Sequence, residues 1–133
     1  MISRFYDLNG VLSIDKPKGI TSHDVVDHIR NRLKTSKVGH LGTLDPLATG
    51  VLPITIGKAT RLAQFIPSSP KEYTGRIRFG WATTTSDREG KILNNKSSVD
   101  HLTEANITKV MREMTGQLNQ VPPTYSCLLY TSP

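Results

Sequence analysis

The residue best suited to nucleophilic chemistry in this chain is Asp45, which lies in the glycine-rich segment of residues 39–52, GHLGTLDPLATGVL. Pro46 disfavours the helical region for the residue before it, so we expect Asp45 on a stiff turn or extended loop. An aspartate is ionised at neutral pH and can attack carbon without a base to deprotonate it. A lone Asp-Pro pair is more often only a turn, and local chemistry leaves both interpretations open.

Three other side chains are candidates for ligand contact: His40, Tyr73 and Lys16. A lone histidine is more often structural, but the flat polar ring of His40 also suits an enzyme that braces the space left by an extruded nucleotide. Tyr73 opens an alternating segment and, taken alone, is a tyrosine at the edge of the core. Lys16 and Lys18 flank a turn, where they either face solvent or contact phosphate.

The chain before Asp45 predicts a strand followed by a helix. The strand contains Val11, Leu12 and Ile14 and ends in the turn of residues 15–19. Thr21 or Ser22 can cap the helix. Its apolar face consists of Val25, Val26, Ile29 and Leu33. Four cations crowd its C-terminal end, where they suit the helix dipole or, as a second interpretation, contact phosphate: Arg30, Arg32, Lys34 and Lys37.

The chain after Asp45 mixes strands and helices. A buried strand ends near Ile56, and a helix of about ten residues is bracketed by Gly57 and Pro67. Residues 71–81 alternate as a strand with Tyr73, Ile77 and Trp81 on its buried face. A later helix carries an apolar stripe that we expect in the core: Ile107, Val110, Met111 and Met114. Without βαβ repetition, the predicted fold class is α+β, with a mixed, largely antiparallel sheet and flanking helices.

Composition narrows the class of protein. A chain of 133 residues forms one domain at most, and a net charge of +6 favours a polyanionic partner, although many basic proteins are merely soluble. The single cysteine, Cys127, excludes an intramolecular disulfide, and no two histidines have metal-site spacing, so we predict no metal. No apolar run reaches the roughly 18 residues of a membrane span. The absence of a signal-peptide core predicts a cytoplasmic protein without membrane contact.

Several segments together resemble the TruB family, the tRNA pseudouridine-55 synthases. The resemblance rests on GHLGTLDPLATGVL at 39–52, GVLSIDKPKG at 10–19, KEY at 71–73, TTTSDREG at 83–90 and VPPTYS at 121–126. It implies the pseudouridine synthase fold, incomplete in this chain. It also implies isomerisation of uridine to pseudouridine in the T loop of tRNA. The expected enzyme is a monomer that binds the T arm and needs no cofactor, and its small size favours the stand-alone type over the guide-RNA-directed synthases.

The resemblance assigns roles to the candidate residues. It implies that Asp45 is the nucleophile, that His40 wedges into the T loop and that Tyr73 stacks on the flipped uracil. Lys16 is implied to have a structural or RNA-facing role near the active site. Many members have Asp where this chain has Thr84, a departure that leaves Asp87 as a turn-stabilising residue.

The resemblance also predicts domain boundaries. It covers residues 10–126, so we interpret 1–126 as the N-terminal part of the catalytic domain and the divergent 127–133, CLLYTSP, as an aberrant or truncated tail. The remainder of the family's domain is expected to supply strands of the same sheet and an arginine that pairs with the catalytic carboxylate. Two other functions stay open: a non-catalytic RNA-binding or RNA-folding module, and an inactive fragment.

Overall fold

The computed structural model describes residues 8–66, 70–94, 96–119 and 121. Two compact units divide the chain, Met1–Glu72 and Tyr73–Pro133, and each is described by itself. Residues 122–133 lie outside the described residues. This range contains Cys127, most of the VPPTYS match and the predicted tail. Within the described parts of the chain, no helix is both long and apolar enough to cross a membrane.

The first unit is built on a three-stranded antiparallel sheet. Its strands are β1 (Gly10–Lys16), β2 (Val38–His40) and β3 (Gly50–Ile56), in the order β1-β3-β2. In the register of the sheet, Lys16 lies opposite Gly50 and His40 lies opposite Ile54. The loop of residues 41–49, called here the aspartate loop, therefore connects β2 to β3. The last residue of β1, Lys16, lies beside the end of this loop, where the chain enters β3 at Gly50.

Helix α1 (Ser22–Leu33) supplies the other half of the core. Thr21 is its N-cap and forms a capping box with Asp24, a device whose hydroxyl contributes about 1 kcal/mol. The two hydrogen bonds from Thr21 lower the pKa of Asp24 below its ordinary value. One apolar cluster joins the helix to β2 and β3: Val25, Val26, Ile29, Val38, Leu52, Ile54 and Ile56. The predicted first strand, first helix and buried strand are confirmed.

The segment after β3 differs from its prediction. Residues Gly57–Phe65 form a 3₁₀ helix, in which only Ala59 is buried and Leu62 remains 51% exposed. An apolar stripe at α-helical spacing stabilises an α-helix only where it packs against another surface. Because Ala59 is the only residue of this stripe that is buried among the described residues, the segment takes the tighter geometry typical of short connections.

The described residues of the second unit contain no buried side chain. The predicted strand at 71–81 is wrong: no strand forms there, and Ile77 is 78% exposed. A strand needs a ladder of hydrogen bonds to a neighbour, and none of the described residues forms a ladder with this segment, which accepts a single bond from the Ser97 N–H at the Gly80 carbonyl. Helix α2 (Glu104–Glu113) forms with Thr103 as its cap, but its stripe is not core, since Met111 is 62% exposed.

Candidate active site

The backbone on both sides of Asp45 is held in place by groups outside the aspartate loop. The Leu44 N–H donates to Ser22 Oγ at 2.9 Å, and Ser22 Oγ donates to the Leu44 carbonyl at 3.2 Å. The Pro46 carbonyl accepts the Gly19 N–H at 2.8 Å. Asp45 is thus the exposed residue between two fixed neighbours, as the Asp-Pro sequence predicted for a stiff loop.

Further contacts fix the two ends of the aspartate loop. At its start, the Leu41 N–H donates to the Pro53 carbonyl at 2.9 Å, and Gly42 turns the chain with φ of 96°, a value that favours glycine. At its end, the Ala48 N–H donates to the Asp45 carbonyl at 3.0 Å. The loop is therefore a tightly connected surface segment, although it has no regular secondary structure.

The carboxylate of Asp45 has no polar protein partner within the described residues. Its side chain is exposed and takes part in no hydrogen bond or ion pair there. A carboxylate without an internal partner is available to a molecule that arrives from solvent. The arrangement suits a nucleophile, because the backbone limits where the carboxylate can reach while leaving its oxygens accessible.

Lys16 is completely buried at the end of β1. Its Nζ donates to the carbonyls of Ile20, Pro17 and Pro46, at 2.8, 3.0 and 3.4 Å. A buried cation is tolerated only when its hydrogen bonds are satisfied, and these carbonyls do so. Lys16 therefore ties the turn after β1 to the aspartate loop. This geometry is that of the structural role, and direct contact between Lys16 and RNA stays a prediction.

His40 is the last residue of β2 and immediately precedes the aspartate loop. It is half-buried, and its Nδ1 is buried without a hydrogen-bond partner among the described residues. Leaving a buried polar atom unpaired costs about 1–3 kcal/mol. His40 thus lies next to the loop as expected, and its wedging into RNA stays a prediction.

Tyr73 is the first residue of the second unit and is 58% exposed. It is not a core-edge tyrosine in this structure. Exposure leaves its ring available for stacking, and that role stays a prediction.

Two residues at the site were not recognised from sequence. The sequence predicts Ser22 only as an alternative helix cap to Thr21, but Thr21 is the cap and the Ser22 hydroxyl forms hydrogen bonds with the loop. The signal in the sequence is the pair of adjacent hydroxyl residues at the start of the helix. A helix needs one cap, so the second hydroxyl is available for a contact outside the helix. Lys71 is exposed, and its Nζ donates to the Thr43 carbonyl at 3.0 Å. The sequence around Lys71 contains no signal for this contact, which joins residues 28 positions apart.

The cations at the end of α1 are used in two ways. Arg30 forms an ion pair with Asp27 at 3.0 Å and donates to the Val38 carbonyl at 3.0 Å, so it connects the helix to β2. Lys34 and Lys37 are exposed and available to a polyanion. No cluster of three or more His, Cys, Asp or Glu side chains suited to a metal ion occurs in the described part of the chain.

Comparison with known proteins identifies the class to which this fold and site belong. A family model described as "TruB family pseudouridylate synthase (N terminal domain)" matches residues 30–132. The chain therefore belongs to the TruB family, and the pseudouridine synthase fold predicted from its sequence is confirmed.

Similar proteins agree with this membership. Relatives named tRNA pseudouridine synthase B include those of Solibacter usitatus, 51% identical over 119 residues, and Streptococcus sanguinis, 48% identical over 121 residues. These alignments cover 90% and 91% of this chain but 40% and 41% of the relatives, so the chain spans about two fifths of their length. The crystal structure of a Cbf5-Nop10-Gar1 complex is 31% identical, with a TM-score of 0.58 over 90% of this chain and 30% of that chain.

Proposed function

We propose that this chain is the N-terminal catalytic part of a monomeric, cytoplasmic enzyme that isomerises uridine to pseudouridine in the T loop of tRNA. Asp45 is the nucleophile in this proposal. The observation that carries it is the exposed carboxylate of Asp45, held between two neighbours whose backbone groups are fixed. Family membership supports the reaction class. The names of the relatives, which are 44–51% identical, support tRNA as the substrate, and the stand-alone type of enzyme stays a prediction.

The reaction is an internal transfer. The bond from ribose C1′ to N1 of uracil breaks, the base turns, and a bond from C1′ to C5 forms. The proton on C5 is lost and N1 gains one, so that the product is an isomer of the substrate. Asp45 can form its transient bond either to the anomeric carbon or to a ring carbon. Neither route needs an oxidant, a reductant or a group donor, in keeping with the prediction of no cofactor.

The base must leave its stack before Asp45 can reach it. Extrusion costs a few kcal/mol, and stacking on an aromatic ring returns roughly 1–3 kcal/mol. In our proposal Tyr73 provides that stacking and His40 occupies the space left in the T loop. The net charge of +6 supports attraction of the tRNA backbone.

The test uses the full-length gene product that contains residues 1–126, with tRNA tritiated at C5 of uridine so that turnover releases tritium. Asp45→Asn should abolish release. It should keep tRNA affinity within about threefold, a change in binding free energy of under about 1 kcal/mol. Asp27→Asn is the matched control, because it neutralises an exposed carboxylate on α1 and should keep full activity. Tritium release by Asp45→Asn at the unmodified rate would refute the assignment.

The net charge also favours the alternative of a non-catalytic RNA-binding or RNA-folding module. Such a module has no use for a carboxylate at position 45. If the unaltered full-length product binds tRNA tightly but releases no tritium, this alternative is the correct one.

A further inference from the structure

The side chain of Ser22 touches the backbone on the N-terminal side of Asp45 and is almost completely buried, with 2% exposed. Its hydroxyl accepts the Leu44 N–H at 2.9 Å and donates to the Leu44 carbonyl at 3.2 Å, across a separation of 22 residues. A single hydroxyl therefore holds both polar groups of one residue's main chain.

These bonds are not part of the helix cap. Thr21 is the N-cap, and its own hydroxyl accepts the Asp24 N–H at 3.0 Å. Ser22 is the first residue of α1, where a hydroxyl is not needed to satisfy the helix. A buried hydroxyl without a partner costs free energy, and Leu44 supplies both of the contacts that Ser22 makes. The hydroxyl of Ser22 thus serves the aspartate loop.

The position of these bonds determines where the carboxylate reaches. The Leu44 N–H belongs to the peptide group before Leu44, and its carbonyl belongs to the peptide group that joins Leu44 to Asp45. Because peptide groups are planar, fixing both sets the direction in which the chain enters Asp45. The Asp45 side chain has no polar partner among the described residues, so only the backbone and the side-chain rotamer limit its position.

We infer that Ser22 is a positioning residue that acts through the Leu44 backbone to aim Asp45 at the substrate. The inference rests on the proposed function, in which Asp45 is the nucleophile. Removal of the hydroxyl should lower kcat about 100-fold, the effect of a displacement of roughly 1 Å at a reacting group. KM for tRNA should stay within about threefold, because Ser22 is buried and does not contact RNA in this proposal.

The experiment compares four variants in the full-length gene product by tritium release and by urea unfolding. Ser22→Ala removes the hydroxyl, Ser22→Thr keeps it, and Ser22→Cys keeps the volume with a weaker hydrogen bond. Thr21→Ala is the matched control, because it removes the neighbouring hydroxyl that caps the helix and does not bond the loop. We expect low kcat for Ser22→Ala, an intermediate value for Ser22→Cys, and values near the unaltered enzyme for Ser22→Thr and Thr21→Ala.

A purely structural role would predict a different pattern, in which kcat per folded molecule is unchanged in every variant. If Ser22→Ala and Ser22→Cys keep kcat within threefold of Thr21→Ala, the positioning role is overturned. If Ser22→Ala does not fold, the comparison of Ser22→Cys with Ser22→Thr decides in the same way. Asp45→Asn in the same assay separates the two proposals: its full activity would overturn both, whereas its inactivity beside an active Ser22→Ala would overturn only the role of Ser22.

Discussion

The two units of this chain contain similar apolar residues in opposite environments. Ile54 in β3 is completely buried, whereas Ile77 in the alternating segment of the second unit is 78% exposed. The first unit packs a helix against a sheet, and the described part of the second contains no buried side chain. The comparison shows that periodicity identifies an apolar face, but a partner surface decides whether that face becomes core.

The same comparison bears on function. Asp45 and the groups that hold its neighbours belong to the packed unit, and their geometry depends on contacts within Met1–Glu72. Tyr73, the predicted stacking residue, belongs to the other unit.

The largest expected effect is on the stability of the packed unit. Leu52 is 1% exposed and Met111 is 62% exposed. Leu52→Ala should therefore lower the free energy of unfolding by about 2–5 kcal/mol, because it removes buried apolar volume. Met111→Ala should change it by less than about 0.5 kcal/mol. Urea unfolding of the 133-residue chain measures both, and equal losses would contradict the difference between the units.

A smaller effect is expected for the buried cation. Lys16→Met takes a donor away from three carbonyls and should destabilise the chain by about 1–3 kcal/mol. Lys18→Met, at an exposed position in the same turn, should be nearly neutral in urea unfolding. A neutral Lys16→Met that loses tRNA affinity would instead favour the RNA-facing role for Lys16.

The smallest effect concerns two exposed carboxylates, one in each unit. Hydrogen bonds from Thr21 lower the pKa of Asp24, and bonds from Thr85 and the Glu89 N–H lower the pKa of Asp87. Each contributes stability that is present above the ordinary Asp pKa of about 3.8 and is lost as pH falls through the lower folded value. Carboxyl NMR titration should give both values below 3.8. Protonation of Asp24 should lower the free energy of global unfolding. Protonation of Asp87 should not, because the hydrogen bonds of Asp87 hold only a local turn.

The elements that pack locally were predictable from the sequence. The apolar stripe and the cap of α1 predicted that helix, and the run of apolar residues around Leu52 predicted β3, because each of these signals lies within the element itself. Strand β2 was missed, since Val38–His40 is too short for a pattern and pairs only because β3 lies beside it. The strand at 71–81 was predicted wrongly because alternation contains no information about whether a neighbouring strand is present.

The exposed loop at Asp45 was predictable from the sequence, whereas the hydrogen bonds that hold the loop were not, and the chemistry of Asp45 stays a prediction. The motif around Asp45 identified the carboxylate and the loop. The hydrogen bonds from Ser22 and Lys16 join residues 22 and 30 positions apart, and no local pattern reports such a contact. A Lys beside a Pro and Gly turn also looks exposed, although here Lys16 is buried.

The central claim is that Asp45 works because a fixed backbone places its carboxylate. Asp45→Glu tests this claim most directly, because it keeps the charge and extends the side chain by one methylene. We expect the full-length gene product with this change to bind tRNA normally and to release tritium at least about 100-fold more slowly than the unaltered enzyme. A rate within threefold of the unaltered enzyme would contradict the account, because a charge alone, wherever the side chain carried it, would then be sufficient.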